Sequence, residues 1–316
     1  MSSSESVTCC PDLLRNTTQT NVTSATYNSS VDTTPAPGDH SLMVGQRAFL
    51  ITIYTTVLVA GSMGLVLMVS VLRSNLHSVT TIAFFNLVLT HFIFLLTVPF
   101  RIYYFARQAW GLSHVFCKLV SATIHIHMYM VFFIYVFILT IRFLSFYKRS
   151  KQVKSYSKAH TLGASVALWC LVLLLILLIL YFEYGKNAEN KAGQCFRFGK
   201  ELKQEAVFVV NCIFCVICIL ASCVLGGIQF HILHSILKEH GSASWSQQEF
   251  WAQVKSLCFV LIMVICFVPY HFFRLFYLRH PDRLEGVNEV FLAITSLSCL
   301  DTLTFLGRGV CRTCKR

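Results

Sequence analysis

The chain has 316 residues, of which 55% are hydrophobic and 13% are charged, and its formal net charge is +12. Soluble domains carry roughly 25% charged residues, so this composition excludes an ordinary soluble protein and indicates that lipid is the solvent. A basic chain can also indicate nucleic-acid binding, but here the Lys and Arg residues lie between long apolar runs, and no nucleic-acid partner is predicted.

Residues 1–44 are predicted to be a disordered extracellular tail, because Ser, Thr and Asn dominate this segment. The tail contains three Asn-x-Ser/Thr sequons, at Asn16, Asn21 and Asn28. Sequons are glycosylated on the lumenal or extracellular side, although a tail of this composition also forms them by chance. No basic segment followed by an apolar stretch precedes the first helix, so no cleaved signal peptide is predicted.

Seven apolar runs follow the tail, and each approaches or exceeds the about 18–20 residues that a helix needs to cross hydrocarbon. Because backbone polar groups in lipid must be satisfied within the segment, runs of this length predict helices rather than strands. The predicted helices span about 48–72, 79–105, 115–147, 159–182, 205–237, 249–278 and 286–307. The fold class is therefore an all-α membrane protein, with a seven-helix bundle over residues 45–308 and a short cytoplasmic tail at 309–316.

An odd number of spans places the two termini on opposite sides of the membrane. Residues 148–158, between the third and fourth runs, contain five Lys or Arg and no acid. This loop fits the enrichment of cytoplasmic loops in basic residues. The sequence thus predicts an extracellular N-terminus, a cytoplasmic C-terminus and a multi-pass protein of the plasma membrane.

Several residues within the runs are distinctive by their type, order and spacing. In chain order they are Asn86 and Pro99 in the second run, Cys117 and Arg142 in the third, Trp169 in the fourth, Phe267-Val268-Pro269 in the sixth and Leu300-Asp301 in the seventh. Arg142 follows Cys117 by 25 residues, about 37 Å of helix at ~1.5 Å per residue, so the two lie at opposite ends. This set, in this order, resembles the rhodopsin-like (class A) G-protein-coupled receptors over residues 45–308.

The resemblance implies an orphan-like receptor that binds an extracellular ligand and activates a heterotrimeric G protein, with no enzyme activity and no cofactor. It also implies a disulfide between Cys117 and Cys195, which should stabilise the fold by roughly 2–5 kcal/mol. Four residues match switch and coupling positions of the family: Arg142, Phe267, Pro269 and Asp301. Pro269 is expected to kink the sixth helix, either as a pivot or as static packing, and Phe267 is expected at the floor of the ligand pocket.

The sequence departs from the family pattern at other positions. Ile141 and Phe143 replace the acid and the tyrosine that flank the helix 3 arginine, and His91 replaces the sodium-binding aspartate of helix 2. The helix 1 asparagine is missing, and residues 301–305 lack the proline and tyrosine of the helix 7 motif. Because Ile141 cannot pair with Arg142, we expect the inactive state to lack the ion pair that this arginine makes with the preceding acid in the family. We therefore expect the basal activity to be raised.

Basic and aromatic residues concentrate in the extracellular half of the predicted bundle. The candidate ligand-binding residues are Arg101, His125, Tyr129, His271 and Arg274. Arginine binds carboxylates and phosphates with charge-assisted hydrogen bonds, so this set predicts an anionic or lipid-like ligand. The alternative for the arginines is contact with lipid headgroups, and for the histidines a structural place within the bundle. Ile124 stands where amine receptors have an aspartate, which disfavours a cationic ligand.

Two cysteines near the C-terminus, Cys311 and Cys314, lie among basic residues and are candidates for S-palmitoylation, with unmodified thiols as the alternative. No metal site is predicted, because no C-x-x-C pair is joined to a second pair at zinc spacing. A membrane enzyme is disfavoured by the lack of a catalytic motif, and a transporter by the lack of an internal repeat. A non-signalling seven-helix partner or ligand trap stays open because the helix 7 motif is altered.

Overall fold

The structure is a computed structural model that describes residues 37–73, 79–147, 158–181, 195–196, 205–240 and 248–305. These ranges form seven consecutive helices and contain no strand. We label them α1 (Pro37–Arg73), α2 (Val79–Arg107), α3 (His114–Tyr147), α4 (Lys158–Tyr181), α5 (Glu205–His240), α6 (248–277) and α7 (281–305). The predicted all-α fold class is confirmed.

Five segments of the described chain are long and apolar enough to cross a membrane. They are Val44–Ser70, Thr81–Arg107, His114–Leu144, Asn211–Glu239 and Gln253–Tyr277. Residues Leu162–Leu174 of α4 form a shorter apolar stretch. Many large apolar side chains point away from the bundle, including Phe276, Val66 and Phe230 at 69%, 68% and 67% exposed. Such an apolar surface would promote aggregation in water, whereas it is compatible with contact to lipid.

Two helices begin earlier than their hydropathy predicts. The first begins at Pro37, so residues 37–44 are helical rather than part of the predicted disordered tail. The last begins at Pro281 instead of residue 286. Proline suits the first turn of a helix, where its missing N–H is not needed. Both first turns are polar, so a pattern of apolar residues does not reveal them.

The sixth helix is interrupted at the residues that precede its proline. It is α-helical over Gln248–Ile262, π-helical over Met263–Phe267 and α-helical again over Val268–Tyr277. Pro269 cannot donate a helical hydrogen bond and crowds the carbonyl four residues earlier, which lies inside the π-helical turn. Sequence predicts the kink but not the π-helical turn, which is a known cause of helix bending.

The seventh helix narrows at its C-terminal end, where Leu297–Phe305 form a 3-10 helix after the α-helical Pro281–Ser296. This segment packs against α1. A Cβ atom at Gly64 would clash with the side chain of Thr302. Glycine at position 64 therefore allows α1 and α7 to approach closely.

Polar contacts also join α4 to α2. Asn86 donates from Nδ2 to Ser165 Oγ over 2.6 Å, and Trp169 donates from Nε1 to Asn86 Oδ1 over 3.1 Å. The main apolar core lies between α1, α2, α3, α6 and α7, with Tyr54, Val98 and Tyr135 fully buried in it. This packing leaves α4 at the periphery and places the polar sites described next among the central helices.

Candidate ligand-binding and coupling sites

A disulfide marks one end of the bundle. Cys117, at the start of α3, is bonded to Cys195, with 5.9 Å between their Cα atoms. Phe196 lies beside it and contacts the rings of Tyr104 and Trp110. We call this the disulfide end, and the opposite end, where α3 carries Arg142, the Arg142 end.

Arg101 is fully buried at the disulfide end. Its Nη1 donates to Glu289 Oε2 over 3.2 Å and to Tyr54 Oη over 3.3 Å, and its Nη2 donates to the Val120 carbonyl over 3.2 Å. The guanidinium carbon lies 4.5 Å from the centre of the Phe196 ring, within cation–π range. The Arg101 Nε has no hydrogen-bond partner among the described residues.

Tyr270, His271 and Arg274 lie on α6, and Arg274, like Arg101, is within electrostatic range of Glu289. Arg274 is 6% exposed and donates to Asn288 Oδ1 on α7 over 3.3 Å. The ring of His271 stacks on Tyr129 of α3, with 6.4 Å between centroids. Within the described chain, the Tyr270 hydroxyl and both His271 nitrogens have no hydrogen-bond partner. Leaving such buried groups unsatisfied costs about 1–3 kcal/mol each, so they suit a site that a ligand completes.

Three charged side chains are buried in this region. Among the described buried residues near the disulfide end, Arg101 and Arg274 carry positive charge and Glu289 carries negative charge. Arg274 is within electrostatic range of both Glu289 and His125. We call Arg101, Tyr270, His271, Arg274 and Glu289 the disulfide-end site.

The structure places all five predicted ligand-binding residues in this region. His125 is partly buried, shares a hydrogen bond with the Ser121 carbonyl at 3.1 Å and lies within electrostatic range of Arg101 and Arg274. Sequence reasoning missed Glu289, Tyr270, Asn288 and Tyr54. The sequence could have indicated Glu289, because it is an acidic residue inside the predicted seventh helix. An ionisable residue inside a membrane helix is usually functional or paired.

A second polar group lies deeper in the bundle, and we call its members, His91, His127, Tyr135, Cys299 and Asp301, the central cluster. His91 Nε2 is 3.1 Å from Asp301 Oδ1, and His91 Nδ1 is 2.9 Å from His127 Nε2. The Tyr135 hydroxyl donates to Asp301 Oδ2 over 2.5 Å. The Cys299 sulfur is 3.4 Å from each of His91 Nδ1 and His127 Nε2. The cluster joins α2, α3 and α7.

Two further predicted switch residues, Phe267 and Arg142, make contacts between α3 and α6. Phe267 is fully buried, and its ring centroid lies 6.3 Å from that of Tyr135 and 6.4 Å from that of Phe132. Arg142 donates from Nη1 to Ser256 Oγ on α6 over 3.0 Å. Ser256 thus supplies a contact between α3 and α6 at a position where Ile141 offers no carboxylate.

Several predicted modification sites lie outside the described residues. These are the sequon residues Asn16, Asn21 and Asn28 and the palmitoylation candidates Cys311 and Cys314. They stay predictions from sequence.

Comparison with known proteins gives relatives over most of the chain. The chain is 38% identical to the Probable G-protein coupled receptor 141 of Homo sapiens over 268 residues, which cover 82% of this chain and 88% of that protein. Stretches such as Ser78-Val79-Thr80-Thr81 and His125-Ile126-His127-Met128-Tyr129 predict similarity to this receptor, and the match confirms it.

Two further relatives are more distant. The Probable G-protein coupled receptor 34 of Pan troglodytes is 23% identical over 296 residues, with 88% of this chain and 76% of the relative covered. The N-arachidonyl glycine receptor of Homo sapiens is 23% identical over 240 residues, with 72% of this chain and 70% of the relative covered.

The family model described as 7 transmembrane receptor (rhodopsin family) matches residues 63–302. That match spans α2 to α6, the C-terminal part of α1 and nearly all of α7, and includes both polar groups described above. Members of this family are receptors rather than enzymes. The chain therefore belongs to the rhodopsin family of seven-transmembrane receptors.

Proposed function

We propose that this receptor acts at the plasma membrane and transmits the binding of an anionic or lipid-like extracellular ligand to heterotrimeric G proteins. In this proposal the disulfide end faces the extracellular side and the Arg142 end faces the cytoplasm. The three sequons before α1 and the basic loop at 148–158 support that orientation.

The disulfide-end site carries the ligand part of the proposal. It buries two guanidinium groups against one carboxylate, and the Tyr270 hydroxyl and His271 nitrogens have no protein partner in the described chain. A carboxylate or phosphate group would accept charge-assisted hydrogen bonds from a guanidinium group and further hydrogen bonds from these donors. A buried arginine also recognises such groups more specifically than a lysine would.

A relative adds support for the lipid-like part. By its name, the N-arachidonyl glycine receptor responds to a fatty acyl chain joined to an amino acid. Such a molecule combines a long apolar chain with an acidic group. A ligand of this class would place its acid at Arg274 and its chain along the apolar walls of the bundle.

Coupling to a G protein is proposed through the Arg142 end. Ligand binding would shift the receptor toward a state in which the inner part of α6 moves away from α3. The π-helical turn and Pro269 give α6 a point at which it can bend. In the described structure Arg142 donates to Ser256 on α6, and Ile141 beside it has no carboxylate that could pair with Arg142 in the inactive state. We therefore expect raised basal activity.

The test is agonist-independent activation of each of the four Gα families in cells, comparing the wild type with Arg142→Ala at equal surface expression. A basal signal that disappears in the variant supports coupling and identifies the Gα class. A signal no higher than that of empty cells contradicts raised basal activity. Titration with acidic lipids then separates a silent but ligand-dependent receptor from one that does not signal.

The second candidate function is a non-signalling seven-helix partner or ligand trap. The observation that favours it is the altered end of α7, where Asp301-Thr302-Leu303-Thr304-Phe305 lacks proline and tyrosine and forms a 3-10 helix. A trap would bind an acidic lipid with an affinity sensitive to Arg274→Ala yet activate no Gα class with that ligand.

A further inference from the structure

We propose that His91, His127 and Cys299 bind a transition-metal ion of the Zn²⁺ class inside the bundle. Their ligand atoms, His91 Nδ1, His127 Nε2 and Cys299 Sγ, lie within 4.8 Å of one another and are all buried. The residues are separated by 36 and 172 positions in the chain. Inspection for local zinc motifs therefore predicts no metal here, and only the packing of α2, α3 and α7 reveals the site.

The distances fit the triangular face of a tetrahedral ion. Bonds of about 2.05 Å to nitrogen and about 2.3 Å to sulfur place two nitrogen ligands about 3.3 Å apart, and nitrogen and sulfur about 3.5 Å apart. The corresponding separations are 2.9 Å between the two nitrogens and 3.4 Å from the sulfur to each nitrogen. Shifts of a few tenths of an ångström would complete three coordination bonds, with a water molecule as a fourth ligand.

Neighbouring groups orient the ligands in the way that metal sites require. Metal-bound histidines usually donate their other ring N–H to a carboxylate. His91 has this arrangement, since its Nε2 lies 3.1 Å from Asp301 Oδ1. The Tyr135 hydroxyl in turn donates to Asp301 Oδ2. The His127 ring is held by stacking on Phe94 at 4.2 Å, and its Nδ1 has no partner among the described residues.

The ligand types select the class of ion. Two imidazoles and a thiol favour Zn²⁺ and similar transition metals, whereas Na⁺, Mg²⁺ and Ca²⁺ prefer oxygen ligands. Binding requires a thiolate and free lone pairs on His91 Nδ1 and His127 Nε2. The Cys299 S–H proton and the proton shared between the two histidines therefore leave when the three bonds form.

An ion at this position would connect three helices. It binds best to the conformation that brings α2, α3 and α7 together, so it shifts the population toward that conformation. This inference does not depend on G-protein coupling, because metal binding is measured on the protein itself.

The experiment uses the full-length wild-type receptor, purified in lipid nanodiscs after treatment with a chelator. Titration with Zn²⁺ should raise the melting temperature. Titration with Co²⁺ should give the near-ultraviolet absorption band of a thiolate bound to cobalt. Na⁺ and Mg²⁺ should do neither at equal ionic strength.

The variant is Cys299→Ser, which keeps the size of the side chain and removes the thiolate. Cys266→Ser is the matched control, because Cys266 is also a buried free cysteine and lies on α6 outside the cluster. We expect the cobalt–thiolate band and most of the zinc-dependent shift to be lost in Cys299→Ser and kept in the control.

Two results would overturn the proposal. One is a wild-type receptor with no cobalt–thiolate band, a result that does not depend on whether any variant folds. The other is an equal zinc-dependent shift in the wild type and Cys299→Ser, which would assign zinc to surface groups such as the exposed His231 and His234. The central cluster would then be a hydrogen-bond network only.

Discussion

The disulfide-end site and the central cluster both bury ionisable side chains of α2 and α7, but the hydrogen bonds of these side chains are satisfied differently in the two places. At the disulfide end, Arg101 pairs with Glu289, while the Tyr270 hydroxyl and both His271 nitrogens have no partner among the described residues. In the central cluster, Asp301, His91 and Tyr135 are joined by hydrogen bonds of 2.5–3.1 Å, while Nδ1 of His127 has no partner among the described residues. Because an unsatisfied buried group costs free energy, the first arrangement suits ligand binding and the second suits holding helices together.

The largest expected effect comes from removing the carboxylate of the central cluster. Asp301→Ala leaves His91 and the Tyr135 hydroxyl buried without their acceptor, and we expect a loss of about 3–5 kcal/mol in the free energy of unfolding. The measurement is the melting temperature of the purified receptor. The double variant His91→Leu with Asp301→Leu should recover part of the loss, since it removes the His91 imidazole together with the carboxylate and leaves the Tyr135 hydroxyl unpaired. An unchanged melting temperature in Asp301→Ala would show that the central cluster does not stabilise the packing of the helices.

A somewhat smaller effect is expected at the disulfide end, and on ligand affinity rather than stability. Arg274→Ala should weaken an acidic lipid agonist by roughly 2–4 kcal/mol, because the acid loses a desolvated charged partner. The measurement is the agonist dose–response curve at matched surface expression. Arg279→Ala, at an exposed position beyond the end of α6, serves as the control and should leave the curve in place. Equal curves for Arg274→Ala and the wild type would refute the anionic ligand.

The most direct comparison uses two tyrosines that are both fully buried. Tyr135→Phe removes a donor to a carboxylate and should cost about 1.5–3 kcal/mol of stability. Tyr270→Phe removes a hydroxyl that has no partner in the described chain and should cost little or slightly stabilise the protein.

Melting temperatures of the two tyrosine variants in the absence of ligand decide this comparison. Equal losses would mean that the Tyr270 hydroxyl is already satisfied and is not reserved for a ligand. With an acidic agonist present, Tyr270→Phe should show a smaller ligand-induced stabilisation than the wild type.

The smallest expected effect extends the comparison to the Arg142 end. Ser256→Ala removes one hydrogen bond between α3 and α6, which contributes about 0.5–1.5 kcal/mol. That loss should raise agonist-independent G-protein activation by several fold, because the contact holds α6 against α3. Ser222→Ala is the control, since its buried hydroxyl bonds within its own helix to the Cys218 carbonyl. Basal activity that falls in Ser256→Ala would assign this contact to the active state instead.

The sequence by itself showed that the chain forms membrane-spanning helices and that it resembles the rhodopsin-like receptors. Long apolar runs can satisfy their backbone in lipid only as helices, so their number and approximate positions follow from composition. The spacing of Cys117 and Arg142 placed them at opposite ends because a helix has a fixed rise per residue. The five ligand-site candidates also came from sequence, since ionisable residues inside a membrane helix are costly and seldom incidental.

Only the tertiary structure decided which of these groups meet. Arg101 and Glu289 are 188 positions apart, and His91 and Asp301 are 210 apart. No local pattern connects such residues, because their contact depends on how α2, α3 and α7 rotate and pack. The same packing brings His91, His127 and Cys299 within coordination distance and gives Arg142 a serine partner on α6. Periodicity fixes positions along each helix, whereas the choice of partners between helices is made by side-chain packing in three dimensions.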